Sequence, residues 1–237
     1  MNGTGPHAPG TGETELFRNS WSLYDAITDR NYMFHRELYG TLGRVLGARD
    51  ASPASLLDLG CGNARFLAPC LRAMKLSRYT GVDLSATALD EATDHLAGIE
   101  GVSLRQAEML GFLEEQSEPY DLIFSGFALH HLGTAEKARF LQRCRECLTP
   151  SGSLLLLDVV RAPGEDRETY LRGYIGFMRT EWTALSPDHL EEACSHVSAY
   201  DFPETLEALT EMAAGAGFRD TTLLDRRAQH HLIRFAA

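Results

Sequence analysis

The stretch Leu56–Leu67, reading LLDLGCGNARFL, constrains this chain more than any other. Leu56 to Leu59 form an apolar run too short for a helix and closed by glycine, which predicts a buried parallel strand ending in a tight turn. Gly60 and Gly62 remove side chains where the backbone bends sharply and a ligand must come close. Beyond the turn, Phe66, Leu67, Cys70, Leu71 and Met74 recur at helical spacing, predicting a helix to about residue 75. Pro69 falls in its first turns, where a missing N–H does least harm. The unpaired N–H groups at that helix start face the same space as the glycines.

Strand, glycine turn and helix serve several nucleotide-binding families. A dinucleotide fingerprint asks for Gly-x-Gly-x-x-Gly, but here Asp58-x-Gly60-x-Gly62 leads to Ala64 and Arg65, without the third glycine. A Walker loop needs Gly-Lys-Ser/Thr, which is absent. The second strand is expected over Arg78–Asp83. Asp83 follows the turn by about 20 residues, the distance expected of a carboxylate that receives two ribose hydroxyls. Ser85 suits the N-cap of a helix carrying Leu89, Ala92 and Leu96. A third strand, Val102 to Ala107, precedes Glu108 and Met109. A fourth, Asp121 to Phe127, brings Ser125, Gly126 and Phe127 to the carboxyl edge of the sheet, where open α/β sheets bind ligands.

Taken in order, LLDLGCGNARFL, GVDLS (81–85), YDLIFSGFALHHL (120–132) and LTPSGSLLLLDVV (148–160) resemble the motifs of class I S-adenosylmethionine-dependent methyltransferases. The resemblance is strong over residues 50–160 and loose over the N-terminal helices and last strands. It implies a Rossmann-like seven-stranded, mostly parallel sheet ending in an antiparallel hairpin, with helices on both faces. It also implies S-adenosyl-L-methionine as cofactor. By the same resemblance Asp58, Gly60, Cys61, Gly62, Asp83, Leu84, Met109, Ser125, Gly126 and Phe127 line the cofactor. Glu108 stands where a carboxylate usually receives the adenine amino group, and Trp21, Tyr24 and Tyr32 lie on N-terminal helices that fold over the site.

His130 and His131 are the obvious acid/base groups of the motif region, and an imidazole exchanges protons near neutral pH. His131 is the preferred base; closing the strand and capping the next helix is the competing role for both. A helix over 134–148, with Ala138, Phe140, Leu141, Cys144 and Leu148 on its stripe, leads into strand five, Ser153 to Val160. Cys144 and Cys147 lack a second pair at zinc spacing and read as packing, and no metal set is evident. Residues 161–202 break the alternation and predict a helical cap of two helices split at Ser186–Pro187, offering Arg167, Tyr170, Tyr174 and Trp182 to a substrate. A helix over 203–216 and two last strands complete one domain, 15–237, with N-terminal helices over 15–47.

The net charge of −11 disfavours a broad nucleic-acid surface. No apolar run approaches the ~20 residues of a membrane span, and residues 1–14, Gly/Thr/Pro-rich, lack a secretory pattern and predict disorder. Five scattered cysteines suit reduced thiols and a cytoplasmic setting. Methyl transfer from a sulfonium is an in-line displacement that expels a neutral thioether, so neither metal nor oxyanion hole is obligatory. The leading expectation is a metal-independent methyltransferase acting on O, N or S of a small molecule, with a homodimer compatible. An RNA-nucleoside methyltransferase and a non-catalytic cofactor-binding subunit are the alternatives.

Overall fold

A computed structural model describes residues 21–49 and 52–237. The tail 1–14, Leu16, Phe17, Asp50, Ala51 and the side chain of Trp21 lie outside the described residues. Seven strands form one sheet: β1 (Ala54–Leu59), β2 (Leu76–Asp83), β3 (Val102–Gln106), β4 (Tyr120–Gly126), β5 (Leu148–Val159), β6 (Asp220–Arg227) and β7 (His230–Ala236). Their order is β3-β2-β1-β4-β5-β7-β6. The first five pair in parallel, and β7 runs antiparallel to both β5 and β6.

The central strands read as unbroken apolar runs because both faces are covered. Leu57, Leu59, Ile123, Leu154, Leu156 and Ile233 point to one core, while Leu56, Leu122, Phe124, Leu155, Leu157 and Leu232 point to the other. That division follows the two-residue period of a strand. Helices α1 (Trp21–Asp29), α2 (His35–Gly47), α3 (Leu67–Leu71) and α4 (Ala86–His95) precede β3 in the chain. Leu38, Leu42 and Leu46 of α2, Leu67 and Leu71 of α3 and Ala92 of α4 close the second core. Helices α5 (Met109–Glu115), α6 (Thr134–Glu146) and α9 (Leu206–Gly215) close the first through Leu113, Phe140, Leu141 and Leu209. Each fully buried leucine contributes about 1.5–3 kcal/mol.

The expected cap consists of α7 (Arg167–Glu181) and α8 (Pro187–Tyr200). Asp166 caps α7 by accepting from Thr169 N at 2.7 Å, and Ser186 caps α8, with Pro187 at its first position. Tyr170, Tyr174, Met178 and Trp182 of α7 pack with Leu23 and Ile27 of α1 and with Val159 at the end of β5. The cap therefore sits at the carboxyl edge of the sheet.

Several boundaries differ from the sequence reading. The helix after the glycine turn stops at Leu71 rather than about residue 75. Ala54 N binds Lys75 O at 3.0 Å, so the chain must already be extending toward β2. Strand β5 begins at Leu148, because Tyr120 recruits Leu148 before a shift in register. Helix α9 starts at Leu206, capped by the Thr205 hydroxyl, which accepts from Ala208 N at 3.2 Å. On α6, Ala138 is exposed and Lys137 takes the buried place. All five cysteines are free and buried.

Gly60 is the tightest point of the β1 turn. Its φ is +73°, and a Cβ there would sit 2.6 Å from the Ala128 Cβ. Gly60→Ala therefore adds backbone strain to a steric clash and should lower unfolding free energy in urea by about 1–3 kcal/mol. A variant as stable as the parent would show that the turn has room that the packing denies.

Candidate active site

The glycine turn is locked to the neighbouring strand. Gly60 N and Cys61 N both donate to Val82 O, at 2.9 and 3.0 Å. Positive φ recurs at Gly60, Gly62 and Ala64, which coils the turn so that its amides bond inward, Ala64 N donating to Cys61 O at 3.0 Å. Asp83, at the end of β2, accepts from Gly62 N and from Ser85 N, each at 2.8 Å. Two bonds leave half of a carboxylate's acceptor sites for other donors. Burial raises the pKa of Asp83, while the Ser85 and Gly62 amides pull it down. Leu84 beside it is 43% exposed, one of the few large apolar side chains in water.

Below the turn Asp58 is fully enclosed. Its Oδ2 accepts from the Tyr79 hydroxyl at 2.7 Å, and its Oδ1 is buried without a hydrogen-bond partner. Burial pushes its pKa up to about 7, the Tyr79 bond opposing and the charge of Asp83 adding. Cys61 is buried alongside, and its thiol is pushed up by the same burial and the same two acids. The N-terminal helix α1 is drawn over the turn by Arg65, which pairs with Asp29 at 2.6 Å and Asp25 at 3.8 Å. From α1, the Tyr24 hydroxyl reaches His35 Nε2 at 3.2 Å. Burial, His230 and Arg65 lower the pKa of His35 to about 3, so that ring is neutral. Tyr32 stacks on Trp182 with ring centroids 5.3 Å apart, and its hydroxyl accepts from Ala184 N at 2.8 Å. It serves to join cap and body.

Glu108 is placed differently from the expectation. It is the N-cap of α5, accepting from Leu110 N at 2.9 Å and Gly111 N at 2.7 Å. With both oxygens turned to its own helix, the carboxylate acts first as a cap, and Met109 beside it stays half-buried. Ser125 is buried and donates to Leu59 O at 2.9 Å, tying β4 to β1. Phe127 takes a left-handed φ of +54° with its N–H on Leu157 O at 2.7 Å. A bulky residue is held there only by surrounding contacts, here the rings of His35 and His230.

That reversal swings the next residues, a 3₁₀ turn over Leu129–His131, across the strand ends. His130 is buried and ion-paired through Nδ1 to Asp158 Oδ1, while its own N–H donates to Asp158 Oδ2 at 3.0 Å. Val159 N holds Asp158 Oδ1 at 2.8 Å. Asp201, just past α8, brings Oδ1 to 3.6 Å from His130 Nε2. Burial disfavours charge on His130, but Asp158 and Asp201 outweigh it and raise its pKa to about 9. His131 is half-buried, its Nδ1 at 3.2 Å from Tyr200 O. Burial and the neighbouring His130 charge hold its pKa well below the usual range, so its ring is neutral at neutral pH. Beneath them Lys137 Nζ bonds Phe202 O and sits 3.4 Å from Glu204 Oε1, and Arg161 reaches the other Glu204 oxygen at 3.3 Å. These ion pairs fasten the cap's exit to the body.

The cap residues expected at a substrate are mostly interior. Tyr170, Tyr174 and Trp182 are buried. The Tyr174 hydroxyl pairs with His230 Nε2 at 3.1 Å, whereas the Tyr170 hydroxyl and Trp182 Nε1 have no hydrogen-bond partner. Arg167 is half-buried, and its guanidinium donates to Asp201 O and Ser198 O, each at 2.7 Å. The sequence reading missed Asp201, Glu204, His35 and His230, which reach the site from distant segments. Lys137 had a signal: it stands three, four and seven residues before Phe140, Leu141 and Cys144, on the buried stripe.

A strand order reversing between β1 and β4, a glycine turn after β1 and an acid ending β2 define a Rossmann-like, methyltransferase-type fold. A methyltransferase-domain family model matches residues 57–154. Carboxy-S-adenosyl-L-methionine synthase of Pseudomonas aeruginosa is 26% identical over 185 residues, covering 73% of each chain. Phosphoethanolamine N-methyltransferase of Plasmodium falciparum is 24% identical over 155 residues, covering 65% of this chain and 57% of its own. The solved structure of a DhpI–SAH complex superposes with a TM-score of 0.66 at 19% identity, covering 98% of both chains. The family model, these relatives and the superposed fold support a class I S-adenosylmethionine-dependent methyltransferase that uses S-adenosyl-L-methionine. No helix among the described residues is long and apolar enough to cross a membrane.

The buried Asp58 carries a pH dependence. Its pKa, about 7 in the fold, lies above the ~3.9 of an unfolded chain. The folded state therefore holds this proton more tightly. The associated stability is complete below about pH 4 and is lost as pH rises through 7. Tyr79, Asp83, Cys61 and Tyr39 are the titratable groups felt around it. Asp58→Asn should flatten the fall in melting temperature between pH 4 and 8, followed by circular dichroism at each pH. An unchanged slope would place the proton elsewhere.

Proposed function

We propose that this enzyme transfers the methyl group of S-adenosylmethionine to O, N or S of a small-molecule acceptor held under the α7–α8 cap. The observation that carries the reading is the Gly60–Gly62 turn braced by Asp83 at the carboxyl edge, with Leu84 exposed on one side and His131 across the strand ends. The unused acceptor sites of Asp83 suit two vicinal hydroxyls, and Leu84 with Met109 offers an apolar surface to a flat ring. The buried carboxylates of Asp58 and Asp83 set a negative potential that favours a cationic cofactor and, with it, the ionised form of Asp58. S-adenosylmethionine supplies an electrophilic methyl on sulfonium; the chain's part is to align the acceptor with it and to exclude water.

A small acceptor is supported by the similarity to a phosphoethanolamine N-methyltransferase and by a net charge of −11, unsuited to a polyanion. Where the acceptor arrives protonated, His131 takes the proton. Its ring is neutral, so a lone pair is present, and burial beside the charged His130 limits the proton affinity. Tyr170, Tyr174 and Trp182 shape the acceptor space from behind, as its wall, and Arg167 fixes the cap's exit segment. Glu108 holds the start of α5, leaving the Met109 backbone to meet the adenine.

Asp83→Ala should weaken S-adenosylmethionine binding by about 1–3 kcal/mol, the worth of hydrogen bonds to a charged group. Titration calorimetry on the folded variant decides it, with Asp83→Asn separating charge from the bracing of Gly62. Unchanged affinity in both variants contradicts the assignment. His131→Ala should cut turnover by about 10²- to 10⁴-fold with cofactor affinity near the parent value. A parent-like rate would remove His131 from the chemistry.

A further inference from the structure

The geometry points to a binding site for one divalent transition-metal ion of the zinc type between His130 Nε2, His131 Nδ1 and Asp201 Oδ1. These three donors all lie within 4.8 Å of one another. Asp201 Oδ1 stands 3.6 Å from His130 Nε2 and 3.8 Å from His131 Nδ1. Both distances exceed the ~3.2 Å limit of a good N–H···O bond. Both are close to the ~3.4 Å between donors of a tetrahedral zinc with bonds of about 2.0–2.1 Å. The third side, between the two rings, is bounded by 4.8 Å, so binding an ion draws the rings toward one another around Asp201 Oδ1.

Three further observations point to a cation. Asp201 is 4% exposed, and its Oδ1 has no hydrogen-bond partner, an arrangement that is costly unless something else meets the charge. His130 is held through Nδ1 by Asp158, itself fixed by two backbone amides. This is the carboxylate–histidine arrangement that orients a ring to present its other nitrogen to a metal. Finally, two buried carboxylates, Asp158 and Asp201, flank the two rings, and a dication neutralises both. The nearby Lys137 and Arg161 are engaged with Glu204.

Two imidazoles and one carboxylate select zinc, cobalt, nickel or copper over magnesium or calcium. Three protein ligands leave a fourth position for water or an acceptor atom. In the ion-free protein a proton serves where the metal would stand, and His131 Nδ1 faces Tyr200 O at 3.2 Å. Metal binding exchanges that contact for coordination and releases protons. The ion clasps the segment after α8 to the turn after β4. It also leaves the remaining ring proton of His131 on Nε2, so a loaded enzyme is a poorer base; that last consequence rests on the proposed function, whereas ion binding does not.

The test uses the full chain without an affinity tag, stripped with chelator and dialysed. Zn²⁺ is followed by equilibrium dialysis and Co²⁺ by its visible absorption, with no cofactor or acceptor present. One ion per chain is expected, with the intense visible bands of tetrahedral cobalt and no competition from Mg²⁺. His131→Ala and Asp201→Asn should each weaken binding at least tenfold, and Asp158→Asn about 10- to 100-fold. His95→Ala, at a separate acidic cleft with Asp25, Glu91 and Asp94, should bind as the parent does. His131 is half-buried, so its truncation leaves the fold intact, which circular dichroism verifies. Absence of saturable binding overturns the proposal, as does parent-like affinity in the folded His131→Ala protein, whatever the outcome of methyl-transfer assays.

Discussion

The five parallel strands end at one edge of the sheet, where backbone amides are left that no strand can satisfy, and in this protein carboxylates satisfy them. Asp83 takes the amides of Gly62 and Ser85. Asp158 takes those of His130 and Val159. Glu108 takes those of Leu110 and Gly111. Each acid fixes a turn that would otherwise be loose, and each concentrates negative charge at the edge where a cationic cofactor must bind. Orphan amides and a receptive potential are met by the same residues.

The fold was legible because its signals are local. The runs Leu56–Leu59 and Leu154–Leu157 declare buried strands, Gly60 and Gly62 declare the turn, and Ser186–Pro187 declares a helix start. All depend on neighbours in sequence. The helix after the turn was overextended because Phe66, Leu67, Cys70 and Met74 keep the helical period while the chain unwinds after Leu71 to pair β2 with β1. Periodicity records which side is apolar and does not record where tertiary pairing ends a helix.

The site was legible in part. Asp83 stands out through its distance from Gly62, and the two histidines through their place after β4. Nothing in sequence separates His130, a buried partner of Asp158, from His131, which stays half-buried. The distinction comes from Asp158 at the end of β5, which takes the ring and the amide of His130, while Asp201 lies near both rings. Glu108, read as a carboxylate for a ligand, is also the N-cap of its own helix, a role that its place before Met109 does not reveal.

The buried cysteines have a consequence for watching this molecule move. Cys61 lies in the cofactor turn, Cys70 in α3, Cys144 on α6, Cys147 at its end and Cys194 in the cap. Burial raises every one of these thiols, that of Cys70 to about 11, so thiolate is scarce as well as shielded. Alkylation at each position must therefore wait for a local opening. The chain carries its own set of internal clocks: the rate at which Cys194 becomes modified reports the breathing of the cap, and the rate at Cys144 reports the unfolding of the core.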